Sequence, residues 1–139
     1  MLPAAEAALK GVMMLHAANI VAFVATVDSA RSRAFYEGVL GLRVISDDPF
    51  STVYDANGVE LRLQKVSAFT PQPHTSLGWS VSSIHDSVRA VASRGAVFEK
   101  YPHMKQDTDG VWDSPSGAKV AWFKDPDGNL LSLTQPPSA

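Results

Sequence analysis

The sequence predicts an α+β fold made of two βαβββ modules in tandem, which form a half-barrel cleft with the helices on its outer face. The first supporting observation is that a strand, a helix ended by glycine and three further strands occur twice in the same order. The second is an internal repeat, since a shift of 70 residues places Asp55 on Asp125 and Gly58 on Gly128. Two sheets that each cover one face with a helix leave their other faces free to line a cleft.

The first predicted module covers residues 19–66 and follows an N-terminal extension, residues 1–18. Asp28, a residue type that caps helix N-termini, separates its first strand from its helix, and Gly41 ends that helix. The predicted strand, helix and three strands lie at 20–27, 29–40, 42–46, 51–54 and 59–66. The extension has a helix-favouring composition, and both a docked helix and a loose leader are open interpretations of it.

The second predicted module covers residues 76–135 and is joined to the first by a linker, 67–75, which two prolines stiffen. Its predicted strand, helix and three strands lie at 76–81, 82–93, 96–101, 119–124 and 129–135. The last turns of the two modules are further apart in the sequence than the first strands and helices are. This difference predicts an insertion in the second module, in the loop around Trp112. The acidic stretch 125–128 between the last two strands is interpreted as a structural hairpin turn.

The composition excludes several classes of protein. With 45% apolar and 19% charged residues in 139, the chain can bury a core and is not disordered. The sequence contains no cysteine, which excludes disulfides, thiolate zinc, iron–sulfur clusters and a cysteine nucleophile. A net charge of −2 without a basic stripe argues against nucleic acid as a partner. No apolar run approaches the roughly 20 residues that span a bilayer, so we expect a soluble, cytoplasmic protein without membrane contact.

Two sequence stretches resemble a known family. FVATVD at 23–28, followed by RSRAFY at 31–36, is similar to the opening of the glyoxalase/bleomycin-resistance, or vicinal oxygen chelate, superfamily. AWFKDPDGNLL at 121–131 is similar to the family's ending. The resemblance spans about residues 19–135 and implies paired βαβββ modules.

The resemblance also implies where a metal would be held. Metal enzymes of the family bind a divalent cation with one inward side chain from the first and last strand of each module. The matching positions here are Val21, Arg62, Ser76 and Ser132. None is an ordinary ligand for such a cation, so no metal cofactor is expected. A shifted site made of His16, Glu60 and His74 is the alternative, against the interpretation that both histidines are loop residues.

Strand alternation then divides the side chains between two faces. One face is uniformly apolar and is expected to pack under the helices, with Trp79 in it. The other face is mixed and is expected to bind a small organic ligand. The predicted ligand-binding residues are Phe23, Glu60, Arg62, Gln64, Ser76, Ser80, Trp112, Leu130 and Ser132. Catalytic residues are not identified by any motif.

Two of these residues have alternative interpretations. Arg62 either grips an anionic ligand or pairs with Glu60 or another internal carboxylate. Trp112 and its loop, 107–117, either fold over the cleft as a lid or anchor a subunit contact.

The predicted function is the binding of a small organic molecule, with anions among the candidates, in a metal-free cleft. The alternative is a metal-dependent lyase, isomerase or dioxygenase of the glyoxalase class with shifted ligands, and whether any reaction is catalysed is open. A homodimer is expected because each module has sheet edges that pairing would cover.

Overall fold

The structure is a computed structural model that describes residues 14–138, so the predicted helix or leader over residues 1–13 lies outside the described part. The first module consists of β1 (Val21–Thr26), α1 (Ser29–Arg33), β2 (Arg43–Asp47), β3 (Ser51–Ala56) and β4 (Val59–Lys65). The second consists of β5 (Thr75–Ser80), α2 (Ile84–Ser93), β6 (Trp112–Asp113), β7 (Lys119–Lys124) and β8 (Leu130–Gln135). A 3₁₀ turn, Leu15–Ala17, precedes β1.

The strands form two open four-stranded sheets of the same topology. Their strand orders are β1-β4-β3-β2 and β5-β8-β7-β6. In each sheet the first and last strands of the module pair in parallel, and the other pairs are antiparallel. These are the tandem βαβββ modules that the sequence predicts, so the predicted fold class is confirmed.

The first helix changes its hydrogen bonding halfway along. Asp28 caps α1 by accepting a hydrogen bond from the backbone N–H of Arg31. A wider π-helical segment, Ala34–Val39, then continues the helix, with the backbone N–H of Leu40 donating to the carbonyl of Phe35. The whole helix therefore matches the predicted span, although its second half is not α-helical.

One predicted strand is wrong. Residues 96–101 form only an isolated bridge, between Phe98 and Phe123, and the fourth strand of the sheet is the two-residue β6. The backbone N–H of Glu99 donates to the carbonyl of Trp122 in β7, and the side chain of Gln106 takes two further backbone hydrogen bonds of this segment. This side chain donates hydrogen bonds to the carbonyls of Glu99 and Gly110 and accepts one from the N–H of Tyr101. The edge strand of the second sheet is therefore β6, which lies in the insertion, whereas the edge strand at the same place in the first sheet is the regular strand β2.

The helix-facing sides of both sheets share one hydrophobic core. It contains the apolar alternation predicted for the helix side, including Leu61, Leu63, Leu131 and Leu133, with Trp79 packed against it. Tyr36 links the two modules, because its ring stacks on Tyr54 and its hydroxyl donates a 2.7 Å hydrogen bond to Asp125. None of the helices in residues 14–138 is long and apolar enough to cross a membrane.

The turn between β7 and β8 fastens the second module to the first. Asp127 accepts hydrogen bonds from the Ser32 hydroxyl at 2.6 Å and from the backbone N–H of Val27 at 3.0 Å. The side-chain amide of Asn129 donates to the carbonyl of Ala25 at 2.9 Å. This acidic turn therefore has the structural role predicted for it.

Asp127 is expected to contribute to stability in a pH-dependent way. Partial burial alone would raise its pKa, but the bonds from Ser32 and Val27 hold the pKa below the ordinary value of 3.8. A lowered folded-state pKa gives stability that is present above the unfolded pKa and is lost as the pH falls towards the folded one. Asp127→Asn should flatten the decline in the free energy of unfolding between about pH 5 and pH 3, measured by urea unfolding. Parallel pH profiles for the variant and the original protein would contradict this.

Candidate functional site

The residues predicted to face the cleft share the uncovered faces of the sheets. In the first sheet Phe23 is paired with Arg62, and Ala25 with Gln64. In the second, Ser80 is paired with Thr134. Since paired residues on adjacent strands project from the same side, the register of the first sheet places its side chains as alternation predicts. Ser80 also borders a cavity on the helix-facing side, beside Trp79 and Leu133.

Arg62 is engaged by its neighbour on the same strand. Its Nε donates a 2.6 Å hydrogen bond to Glu60, and the two side chains are 45% and 38% exposed. The pair therefore lies on the open face beside Phe23 rather than in a buried structural position. A similar ion pair, Arg43 to Asp55 at 3.0 Å, lies towards the outer edge of the sheet.

Arg62→Ala is expected to change the free energy of unfolding by less than about 1 kcal/mol, because ion pairs in contact with water contribute little. Urea unfolding of the variant, beside Glu60→Gln as the partner control, measures the change. A loss of several kcal/mol would mean that the pair is structural after all.

Three other predicted residues are less accessible or differently placed. Leu130 and Ser132 are each only 8% exposed. Gly78 leaves the space that Ser132 fills, since a Cβ at position 78 would lie 2.7 Å from the Ser132 hydroxyl. A bulge in β5 pairs Thr75 with Leu130 and leaves Ser76 without a register partner. Thr75 therefore occupies the position that the sequence assigns to Ser76.

An aromatic cluster covers the outer part of the second sheet. The ring centroids of Trp112 and Trp122 are 6.0 Å apart, and those of Tyr101 and Trp122 are 5.9 Å apart with the rings at 76°. His103 lies 5.9 Å from Tyr101. Sequence reasoning proposed Trp112 but missed Trp122. Trp122 is paired with Ser132 in the hairpin of β7 and β8. Because Ser132 was assigned to the cleft face, the same alternation applied to β7 would have assigned Trp122 to that face as well.

Two adjacent cavities, of about 300 and 420 Å³, border this cluster and share Pro73, Tyr101 and Leu130. We call them together the aromatic groove. The full lining is Pro71, Gln72, Pro73, His74, Thr75, Tyr101, His103, Met104, Trp122, Lys124, Gly128 and Leu130. The linker therefore forms one wall of the groove and the open face of β7 and β8 forms another.

The ionisable side chains that line the aromatic groove include His74, His103 and Lys124. Within residues 14–138, no aspartate or glutamate lines it. The nearest countercharge to Lys124 is Glu99, whose carboxylate lies 3.8 Å from the Lys124 Nζ. Lys124 therefore brings a positive charge to the lining of the groove, with the Glu99 carboxylate outside it.

Trp112 belongs to a neighbouring cavity of about 400 Å³ that includes Asp107. Its loop is fastened to α2 by two contacts, His85 to Asp107 at 2.8 Å and Arg89 to Asp109 at 3.1 Å. These contacts favour a fixed wall over a lid that swings open.

The four positions that the family resemblance assigns to a metal do not fit one. Valine has no donor atom, Arg62 carries a permanent positive charge, and the hydroxyls of Ser76 and Ser132 are weak neutral donors. Within residues 14–138, no three histidine, aspartate or glutamate side chains are grouped to hold one ion, the alternative set of His16, Glu60 and His74 included.

Comparison with solved structures supports the fold. The chain is similar to a glyoxalase/bleomycin resistance protein/dioxygenase from Nocardioides, with 18% identity, a TM-score of 0.68 and coverage of 99% of this chain and 95% of that one. It is similar to the bleomycin resistance determinant encoded on the transposon Tn5, with 19% identity, a TM-score of 0.67 and coverage of 86% and 98%. It is also similar to lactoylglutathione lyase from Agrobacterium tumefaciens, with 16% identity, a TM-score of 0.65 and coverage of 86% and 93%. Identities this low show the shared fold alone.

Comparison with curated protein sequences gave no match. The family model for the Glyoxalase/Bleomycin resistance protein/Dioxygenase superfamily matches residues 14–133, which is most of the chain. The match includes both modules and the aromatic groove. The chain therefore belongs to the glyoxalase/bleomycin resistance protein/dioxygenase superfamily.

Proposed function

We propose that the protein binds a small aromatic anion in the aromatic groove, without a metal. The observation that carries this proposal is the lining of the groove, which combines Tyr101 and Trp122 with Lys124 and two histidines and, among residues 14–138, contains no carboxylate. A concave, partly apolar site with a few polar groups is typical of small-molecule binding.

The geometry suits a flat ligand with one charged group. Because the rings of Tyr101 and Trp122 meet edge to face, a planar ring can stack on one of them and present its edge to the other. Lys124 shares the open face of β7 with Trp122, so its ammonium can reach a carboxylate on such a ring. We therefore assign the anion contact to Lys124, whose Nζ lies 3.8 Å from Glu99, rather than to Arg62, whose Nε lies only 2.6 Å from Glu60.

Matched probes test this proposal by calorimetry. 1-Naphthoate combines ring and charge, 1-naphthalenemethanol lacks the charge, and cyclohexanecarboxylate lacks the aromatic ring. We expect 1-naphthoate to bind most tightly, and Lys124→Gln to weaken its binding about tenfold through loss of a charge-assisted hydrogen bond. Lys119→Gln is the control, because Lys119 lies on the same strand but pairs with Asp113. Equal affinity for the charged and neutral naphthalenes, or no binding, would overturn the proposal.

We propose that the protein forms a homodimer through the open face and outer edge of its first sheet. Phe23 on that face and Ile45 on the edge strand β2 are both more than half exposed, as is Phe50 in the following turn. Apolar side chains beside an unpaired strand edge are stabilised when a second copy covers them. Light scattering at micromolar concentration should give twice the chain mass, and a monomeric mass would contradict this.

A second candidate function is an enzyme of the glyoxalase class with shifted metal ligands. One observation favours it, namely that His74 and His103 line the same cavity. Elemental analysis of protein purified without chelator distinguishes the two functions. One tightly held nickel, zinc, iron or manganese ion per chain, lost in His74→Ala, would favour the enzyme and contradict metal-free binding.

A further inference from the structure

A further cavity lies on the opposite side of β8 from the aromatic groove, between the end of the first helix and α2. Its volume is about 320 Å³, at the lower end of the range for small-molecule sites. The lining is mainly apolar: Val39, Leu40, Trp79, Val81, Ala90, Val91, Phe123 and Leu133, with Ser80, Ser87 and Arg94 as its polar members. We call it the interhelix cavity.

Arg94 differs from every other arginine of the chain. The other five each have a carboxylate within 4.0 Å, whereas no aspartate or glutamate in residues 14–138 lies that close to Arg94. Within the same residues, its guanidinium also makes no hydrogen bond that meets ordinary geometric limits. Arg94 directly follows α2 as its C-terminal cap. Its side chain reaches across to the end of the first helix, since its Nη1 would lie 3.4 Å from a Cβ placed on Gly41.

We infer that the interhelix cavity binds a small carboxylate with an apolar body. Arg94 supplies a guanidinium fork without a protein carboxylate, and a ligand carboxylate matches that fork in both geometry and charge. The apolar side chains behind it, Trp79, Phe123 and Leu133 among them, would then be covered by the ligand body. This site is separate from the aromatic groove, because Leu133 and Phe123 belong to the helix-facing side of the sheet.

Tryptophan fluorescence can report on this cavity alone. The chain has three tryptophans, and only Trp79 lines the interhelix cavity. In Trp112→Phe/Trp122→Phe, sodium octanoate should therefore produce a saturable change in Trp79 emission, while 1-octanol, which lacks the charge, should bind at least about tenfold more weakly. Calorimetry on the unmodified protein repeats the comparison, and there octanoate should not compete with 1-naphthoate.

Arg94→Gln should weaken octanoate binding about tenfold, whereas Arg89→Gln, on the same helix but paired with Asp109, should not. Should Arg94→Gln fail to fold, Ala90→Phe, which fills the cavity from α2, should abolish the octanoate signal instead. Equal affinities for octanoate and octanol, binding that survives Ala90→Phe, or competition with 1-naphthoate would each overturn the inference.

Discussion

Asp125→Ala is expected to lower the free energy of unfolding by about 3–5 kcal/mol, the largest effect of any single change considered for this protein. The carboxylate is 5% exposed and accepts four hydrogen bonds. Two come from the backbone N–H groups of Asp127 and Asn129, and two from the Tyr36 hydroxyl and the Asn129 side chain. Alanine would leave these donors without an acceptor in a buried place.

The internal repeat supplies a matched control for this change. Asp55 occupies the equivalent turn of the first module, where it accepts a hydrogen bond from the backbone N–H of Gly58 and pairs with the exposed side chain of Arg43. Asp55→Ala should therefore cost much less than Asp125→Ala. Equal losses in urea unfolding at pH 7 would show that Asp125 has no special role between the modules.

Asp125→Asn separates the hydrogen bonds from the charge. Burial raises the pKa of Asp125, although its hydrogen bonds act in the opposite direction. The charged carboxylate therefore costs free energy in the folded state, and asparagine removes that cost while keeping an acceptor for the backbone. Its amide NH2, however, replaces the oxygen that accepts from the Tyr36 hydroxyl and the Asn129 side chain, and that loss is the larger effect. We expect Asp125→Asn to unfold at a lower urea concentration than the original protein but at a higher one than Asp125→Ala.

The parts of the fold that the sequence predicts well are those that depend on local patterns. The two-residue period of the strands places Leu61 and Leu63 in the core and Arg62 on the open face, and the structure confirms that register. Gly41 and Gly58 have positive φ, as residues that end a helix and form a turn should.

The failures arise where tertiary contacts decide the backbone. Residues 96–101 have the composition of a strand, but the side chain of Gln106, several residues further on, bonds to the carbonyl of Glu99 and the N–H of Tyr101 where a strand would have a backbone partner. Nothing in the alternation shows the bulge at Ser76 or the π-helical segment after α1.

The candidate site shows the same division. Alternation alone places Arg62 and Glu60 on one face of the sheet. Whether Arg62 pairs with Glu60 or is free for a ligand depends on side-chain positions, and the structure shows a 2.6 Å contact between the two side chains. Tyr101 and His103 lie in a loop whose path the sequence does not reveal, so their contact with Trp122 could not be anticipated. The linker likewise reaches the groove through a contact that alternation does not show, since Pro71 packs against Gly128 in the turn between β7 and β8.

Trp122→Ala is expected to weaken the binding of 1-naphthoate by at least about tenfold, the largest expected effect on the proposed function. Trp122 lies between Tyr101 and Trp112 and lines the aromatic groove, so its removal takes away both a stacking surface and the support for Tyr101. Its backbone is held by pairing with Ser132 in the centre of a hairpin, and the strand should therefore keep its position in the variant.

Trp112→Ala is the control for this prediction, because it removes a tryptophan that contacts Trp122 but does not line the groove. Trp112 was proposed from the sequence as a ligand-binding residue, yet it lines the neighbouring cavity with Gln106 and Asp107 rather than the groove itself. Its loss should reduce affinity only by weakening the contact with Trp122, by less than about threefold. Calorimetry compares the affinities of the two variants for 1-naphthoate, and thermal melting confirms that each variant is folded. A larger loss in Trp112→Ala than in Trp122→Ala would move the ligand to the neighbouring cavity, because only there does Trp112 provide the wall.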